Sequence, residues 1–79
     1  MPKLPVVSSK QIIRVLKQLG FDYAPKRGKG SHLAFVKHGS DKTRLVIVPD
    51  RDSIPKGTLL AILEQAGVAK DEFIRLLNE

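Results

Sequence analysis

The chain has 79 residues with 14 Lys and Arg against eight Asp and Glu, a formal net charge of +6 at pH 7. That length predicts one domain, residues 1–79, around one modest core, and leaves no room for a large enclosed substrate cavity. With no cysteine, neither disulfides nor thiolate metal sites can hold the fold, and the surplus of positive charge favours a polyanion such as nucleic acid, a phosphorylated surface or an acidic protein as partner. No apolar run approaches the roughly 18 residues of a membrane span, and the start Met1 to Pro5 lacks a signal-peptide pattern. A cytoplasmic protein with no membrane contact is therefore expected. The charge is polarised: Lys26, Arg27, Lys29, Lys37, Lys42 and Arg44 fall in one stretch with Asp41 as its single acid, whereas Asp71 to Glu79 holds three acids and one Arg.

In chain order, Met1 to Val7 should be extended, because Pro2 and Pro5 and the residues before them resist helix. Ser8 and Gln11 then have the spacing of a capping box, with Val7 and Ile12 at the positions of a hydrophobic staple. Ile12, Val15, Leu16 and Leu19 recur at helical spacing while Lys10, Arg14 and Lys17 face away, which predicts an amphipathic helix of about three turns. Gly20 should end it, with Phe21 contacting Leu16 in a Schellman stop.

Phe21 to Lys26 reads as a short first strand, closed by Pro25 and so placed at an edge. His32 to Lys37 and Thr43 to Val48 are rich in β-branched and aromatic residues, and the polar turn His38 to Lys42 joins them as an antiparallel hairpin. Alternation puts Leu33 and Phe35 on one face with Leu45 and Ile47, and His32, Ala34 and Val36 on the other beside Arg44, Val46 and Val48. If helices cover the first face, His32 and Arg44 share the second, next to an apolar patch that either marks a partner surface or is itself covered within the chain.

After the polar loop Asp50 to Ser53, Leu59, Leu60, Ile62, Leu63 and Ala66 mark a second amphipathic helix, stopped at Gly67 with Val68 against Leu63. A short helix from Lys70 to Leu77 should bury Phe73, Ile74 and Leu77. Its cap position, Ala69, has no side-chain oxygen, a lack that typically forfeits about 1 kcal/mol. The expected fold is α+β: a small α-β-β-β-α domain, a three-stranded antiparallel sheet packed against two helices, with a short C-terminal helix.

Between the first two strands lies Lys26-Arg27-Gly28-Lys29-Gly30-Ser31-His32. Its cations can neutralise a phosphate, its glycines let backbone N–H groups approach one, and an imidazole can move a proton near neutral pH. A solvated basic loop whose His32 merely opens a strand fits the same residue types. Metal ligation is poorly supported, since the acids Asp50 and Asp52 share a direction only in an extended chain and no His pair has ligand spacing. Ser31 makes a poor nucleophile, because neighbours on a strand point to opposite faces; a loop-anchoring hydrogen bond suits it better.

Several of these patterns in order, the capped first helix ending Leu19-Gly20-Phe21, then Lys29-Gly30-Ser31-His32 opening a strand, then Val48-Pro49, then Lys56-Gly57-Thr58-Leu59 and the run Ile62 to Gly67, resemble the HicA toxin family of bacterial and archaeal toxin–antitoxin systems. The resemblance extends from Ser8 to Leu77. It implies a double-stranded-RNA-binding-domain-like fold and an mRNA interferase, an endoribonuclease without cofactor or metal that a HicB-type antitoxin neutralises. The family's catalytic histidine is the one in Gly-[Ser/Thr]-His, which here is His32. His38, in the hairpin turn, inherits no role. Many relatives carry a second histidine shortly after Val-Pro, where this chain has Asp50-Arg51-Asp52. RNA contacts are expected from Lys26, Arg27, Gly28, Lys29, Gly30, Ser31 and Arg44. The alternatives are a non-catalytic double-stranded-RNA-binding module, which holds A-form RNA by shape and phosphate contacts, or an adaptor that docks a protein on its sheet.

Overall fold

The computed structural model describes residues 3–79; Met1 and Pro2, part of the segment expected to be extended, lie outside the described residues. The first helix, α1 (Ser9–Gln18), begins as its sequence dictates: the Gln11 N–H donates to Ser8 Oγ at 3.3 Å and the Ser8 N–H donates to Gln11 Oε1 at 2.9 Å. Val7 and Ile12 are both buried beside this cap. At the other end Gly20 has φ +96°, and the Phe21 N–H donates to the Leu16 carbonyl at 2.9 Å, which completes the Schellman stop and buries Phe21.

The first strand, β1, is shorter than expected, Asp22–Tyr23 rather than Phe21 to Lys26. Phe21 is consumed by the helix stop. One further ladder bond, Ala24 N–H to the Ala34 carbonyl at 2.8 Å, follows β1. Pro25 then brings no N–H, and a 3-10 turn, Pro25–Arg27, leads the chain off the sheet. Strands β2 (His32–His38) and β3 (Thr43–Pro49) form the hairpin, and the sheet is antiparallel with order β1-β2-β3.

The register corrects the expected faces. Phe35 lies opposite Val46, Leu33 opposite Val48 and Lys37 opposite Arg44, while His32, Ala34 and Val36 face Pro49, Ile47 and Leu45. Directly paired residues project from the same side of a sheet, so Arg44 lies on the face opposite to His32. The expected apolar patch also divides. Val46 and Val48 join Phe35 in the core, whereas Ala34 and Val36 belong to the other face and are themselves buried, leaving Leu45, 38% exposed, and half-buried Ile47 as the apolar surface there.

Helix α2 (Lys56–Ala66) ends at Gly67 in the left-handed region (φ 72°), with the Val68 N–H on the Leu63 carbonyl at 3.0 Å, and α3 (Lys70–Leu77) starts from Ala69 without a side-chain cap. Helices α1 and α2 pack over β3, and α3 packs against α1. Ile12, Val15, Leu59, Ile62 and Phe73 meet Phe35, Val46 and Val48 in one core. The Ile54 N–H donates to the Val7 carbonyl at 2.8 Å and the Ser9 N–H to the Arg51 carbonyl at 2.9 Å, so the loop after β3 is tied to the start of α1.

Candidate nucleic-acid interface and the histidine beside it

The basic loop between β1 and β2 is held by its own backbone. The Arg27 N–H donates to the Ala24 carbonyl at 3.0 Å, closing the 3-10 turn. Gly28 then passes so close to β2 that a Cβ there would stand 2.5 Å from the His32 carbonyl oxygen and 3.3 Å from the Ala34 nitrogen. Only glycine fits without displacement. The His32 N–H returns to the Lys29 carbonyl at 2.9 Å around Gly30 at φ +58°. Ser31 is not among the residues of positive φ, and a β-turn with positive φ at its first central position only is the II′ pattern, which calls for glycine there. The Ser31 carbonyl accepts the Asp50 N–H at 2.7 Å, a main-chain bond that ties the loop to the end of β3 without using the Ser31 hydroxyl.

Asp50 is held in turn. Its Oδ1 accepts a hydrogen bond from Ser9 Oγ at 3.3 Å, and Ser9 is a buried polar residue at the start of α1. This chain of contacts, Ser31 to Asp50 to Ser9, links the loop to α1 across the end of the sheet. The sequence marks Ser8 as the capping serine and gives Ser9 no part; with Ser8 at the cap, Ser9 occupies the first helical position and is buried.

On this frame Lys26, Arg27, Lys29, Gly30, Ser31 and His32 are all exposed, and Gly28 is half-buried. The ion pairs found among the described residues join Arg75 to Glu72 and Glu79, so no carboxylate neutralises the loop's cations. The His32 ring stands at the first position of β2, opposite Pro49, and no side-chain hydrogen bond engages it among the described residues. The arrangement offers backbone N–H groups, three free cations and an unoccupied imidazole at one end of the sheet. Among the described residues no three His, Asp or Glu side chains gather as a metal site would require.

Arg44 does not join this group. It pairs with Lys37, five residues along β2 from His32, which at about 3.4 Å per residue is roughly 17 Å away. Its Nη1 donates to the Gln65 carbonyl at 3.4 Å and its guanidinium lies against Gly67. It thereby supplies positive charge to the C-terminal end of α2, whose last turn has no basic residue. His38, at the far end of β2, has its Nδ1 3.2 Å from Thr43 Oγ1.

A helix followed by a three-stranded antiparallel sheet, with the helices gathered on one face, is the architecture of double-stranded-RNA-binding-like α+β domains. Within that class the match is specific: the family described as HicA toxin of bacterial toxin-antitoxin systems matches residues 9–68. The chain belongs to the HicA toxin family, and its role is that of a toxin within a toxin–antitoxin system. A search of curated proteins returns no match. No helix of the described residues is long and apolar enough to cross a membrane.

Proposed function

We propose that this toxin is a metal-independent endoribonuclease, an mRNA interferase, with His32 as its catalytic group and residues 1–79 acting as one domain. RNA brings its own nucleophile, the 2′-OH, so a small protein need only remove that proton, hold the phosphate in line, stabilise charge on the five-coordinate oxygens and let a proton reach the leaving 5′-oxygen. His32 takes the 2′-OH proton. Lys26, Arg27 and Lys29, with N–H groups of Gly28, Gly30 or Ser31, hold the phosphate and its developing charge. Water returns a proton to the 5′-oxygen.

The observation that carries this reading is the exposed, unengaged His32 ring at the end of a backbone-fixed loop whose three cations have no acidic partner. Arg44, expected from sequence among the RNA contacts, is committed to the end of α2 and drops out of the proposed site. In the cytoplasm, where transcripts are available, a HicB-type antitoxin would silence the toxin by covering the His32 end.

The test is RNA cleavage and growth arrest by the His32→Ala variant. Removal of a general base costs roughly 10²–10⁴-fold in rate, with RNA affinity and thermal melting nearly unchanged. Full cleavage by His32→Ala would overturn the assignment of His32, and RNA binding by the wild type without cleavage would favour the non-catalytic binding module.

A further inference from the structure

On the face covered by α1 lies a hollow of about 250 Å³ lined by Ile13, Lys17, Tyr23, Leu33 and Phe35. Tyr23 is 52% exposed, an unusual position for an aromatic ring in a two-residue edge strand, and it leans on the buried Phe35 with ring centroids 5.6 Å apart at 43°. Drug-sized ligands occupy roughly 300–1,000 Å³, so this hollow takes something smaller, about one planar ring system. Its walls are apolar and aromatic, and its one charged lining group is the cation Lys17.

Two chain connections say what kind of ring. Tyr23 runs directly into the turn Pro25–Arg27, and Leu33 follows His32 on β2. Along the chain the hollow therefore lies within a few residues of the basic loop and of His32, on the sheet face opposite the His32 ring. An apolar side chain from a protein would gain nothing from Lys17 in the lining, or from Lys26 and Arg27 three and four residues along the chain from Tyr23. An anionic chain carrying planar rings would use both features.

Building on the ribonuclease reading, we infer that this hollow is a base-binding subsite, in which one unstacked base of single-stranded RNA lies against Tyr23 while the adjoining phosphate runs onto the basic loop. Leu33 and His32 point to opposite faces of the sheet, so the strand crosses the end of the sheet over residues 26–31 rather than lying on either face. The base held is then a neighbour of the cleaved phosphate. A base inside a duplex is stacked and cannot enter, which makes the substrate single-stranded despite a fold resembling duplex-binding domains.

The chain has one tyrosine and no tryptophan, so its intrinsic emission reports on Tyr23 alone. In the His32→Ala variant, which leaves bound RNA uncut, a short single-stranded RNA of mixed sequence should quench that emission saturably, and the same sequence as a duplex should not. Tyr23→Ala should weaken single-strand binding, read as anisotropy of a labelled RNA, by roughly five- to hundredfold, the loss of one aromatic–base stack. Tyr23→Phe should restore it. If Tyr23→Ala unfolds, Lys17→Glu on exposed helix surface gives an independent arm, weakening single-strand binding with circular dichroism unchanged. Single-strand binding without any change in Tyr23 emission, or equal quenching by duplex, overturns the subsite. Neither result touches the role of His32, which loss of cleavage in His32→Ala tests on its own.

Discussion

The two ends of β2 carry the same residue types and use them differently. Each ends in a histidine with cations close by in sequence, His32 next to Lys26, Arg27 and Lys29, His38 next to Lys37, Lys42 and Arg44. At the His38 end three of the four groups are engaged: Arg44 bonds the Gln65 carbonyl, Lys37 Nζ sits 5.9 Å over the Phe21 ring, and His38 meets Thr43 Oγ1. Two acids, Asp41 and Glu72, line the same cleft. At the His32 end the backbone does the structural work, through Gly28, the turn at Gly30 and the Ser31–Asp50 bond, and the side chains stay free. The difference teaches that a basic stretch identifies a site only where the scaffold holds its loop without calling on its charges.

That contrast can be broken by substitutions at matched positions. Gly28→Ala should have the largest effect, because its Cβ meets a backbone atom at 2.5 Å; overpacking of this kind costs about 1–3 kcal/mol, and displacing His32 should lower RNA cleavage more than tenfold, on the scale that small misplacements of catalytic groups produce. Gly67→Ala, at the other end, meets the Arg44 guanidinium at 2.7 Å and a left-handed φ. It should cost about 1–2 kcal/mol, roughly 4–8 °C in Tm per kcal/mol for a domain of this size, while cleavage below the melting range stays at the wild-type rate. Lys29→Ala should reduce the salt dependence of single-stranded RNA binding by about 0.7 in log–log slope, and Lys42→Ala should leave it unchanged; equal slopes for the two would erase the contrast. Arg44→Ala should be mildest, costing about 0.5–1.5 kcal/mol for one hydrogen bond, with cleavage and salt slope intact. A lowered salt slope in Arg44→Ala would return it to the RNA contacts.

Local rules carried the sequence reading furthest where they are sharpest. The Ser8–Gln11 cap, the stops at Gly20 and Gly67, the uncapped start at Ala69 and the hairpin follow from residues a few positions apart, and the structure has all of them. What failed was long-range. The cross-strand register turns on how two strands slide past one another, and alternation within each strand is silent on that; pairing Phe35 with Val46 rather than with Leu45 or Ile47 moved Arg44 to the far face. The overlong first strand has two origins: Phe21 satisfies both a strand pattern and a helix stop, between which packing decides, and at the other end the chain leaves the sheet at Pro25, which brings no N–H. The loop holding His32 was legible as composition, yet its fixation through Asp50 and Ser9 spans 41 residues and leaves no local signature.

The most direct measurement compares His32→Ala with His38→Ala in one RNA cleavage assay. The two histidines are the only ones in the chain, occupy the first and last positions of β2 and lie on the same face of the sheet, so they differ in surroundings and not in type. Loss of cleavage in His32→Ala with wild-type rates in His38→Ala is the expected result. Equal rates in both variants, or loss in His38→Ala alone, would contradict the assignment of the site to the His32 end.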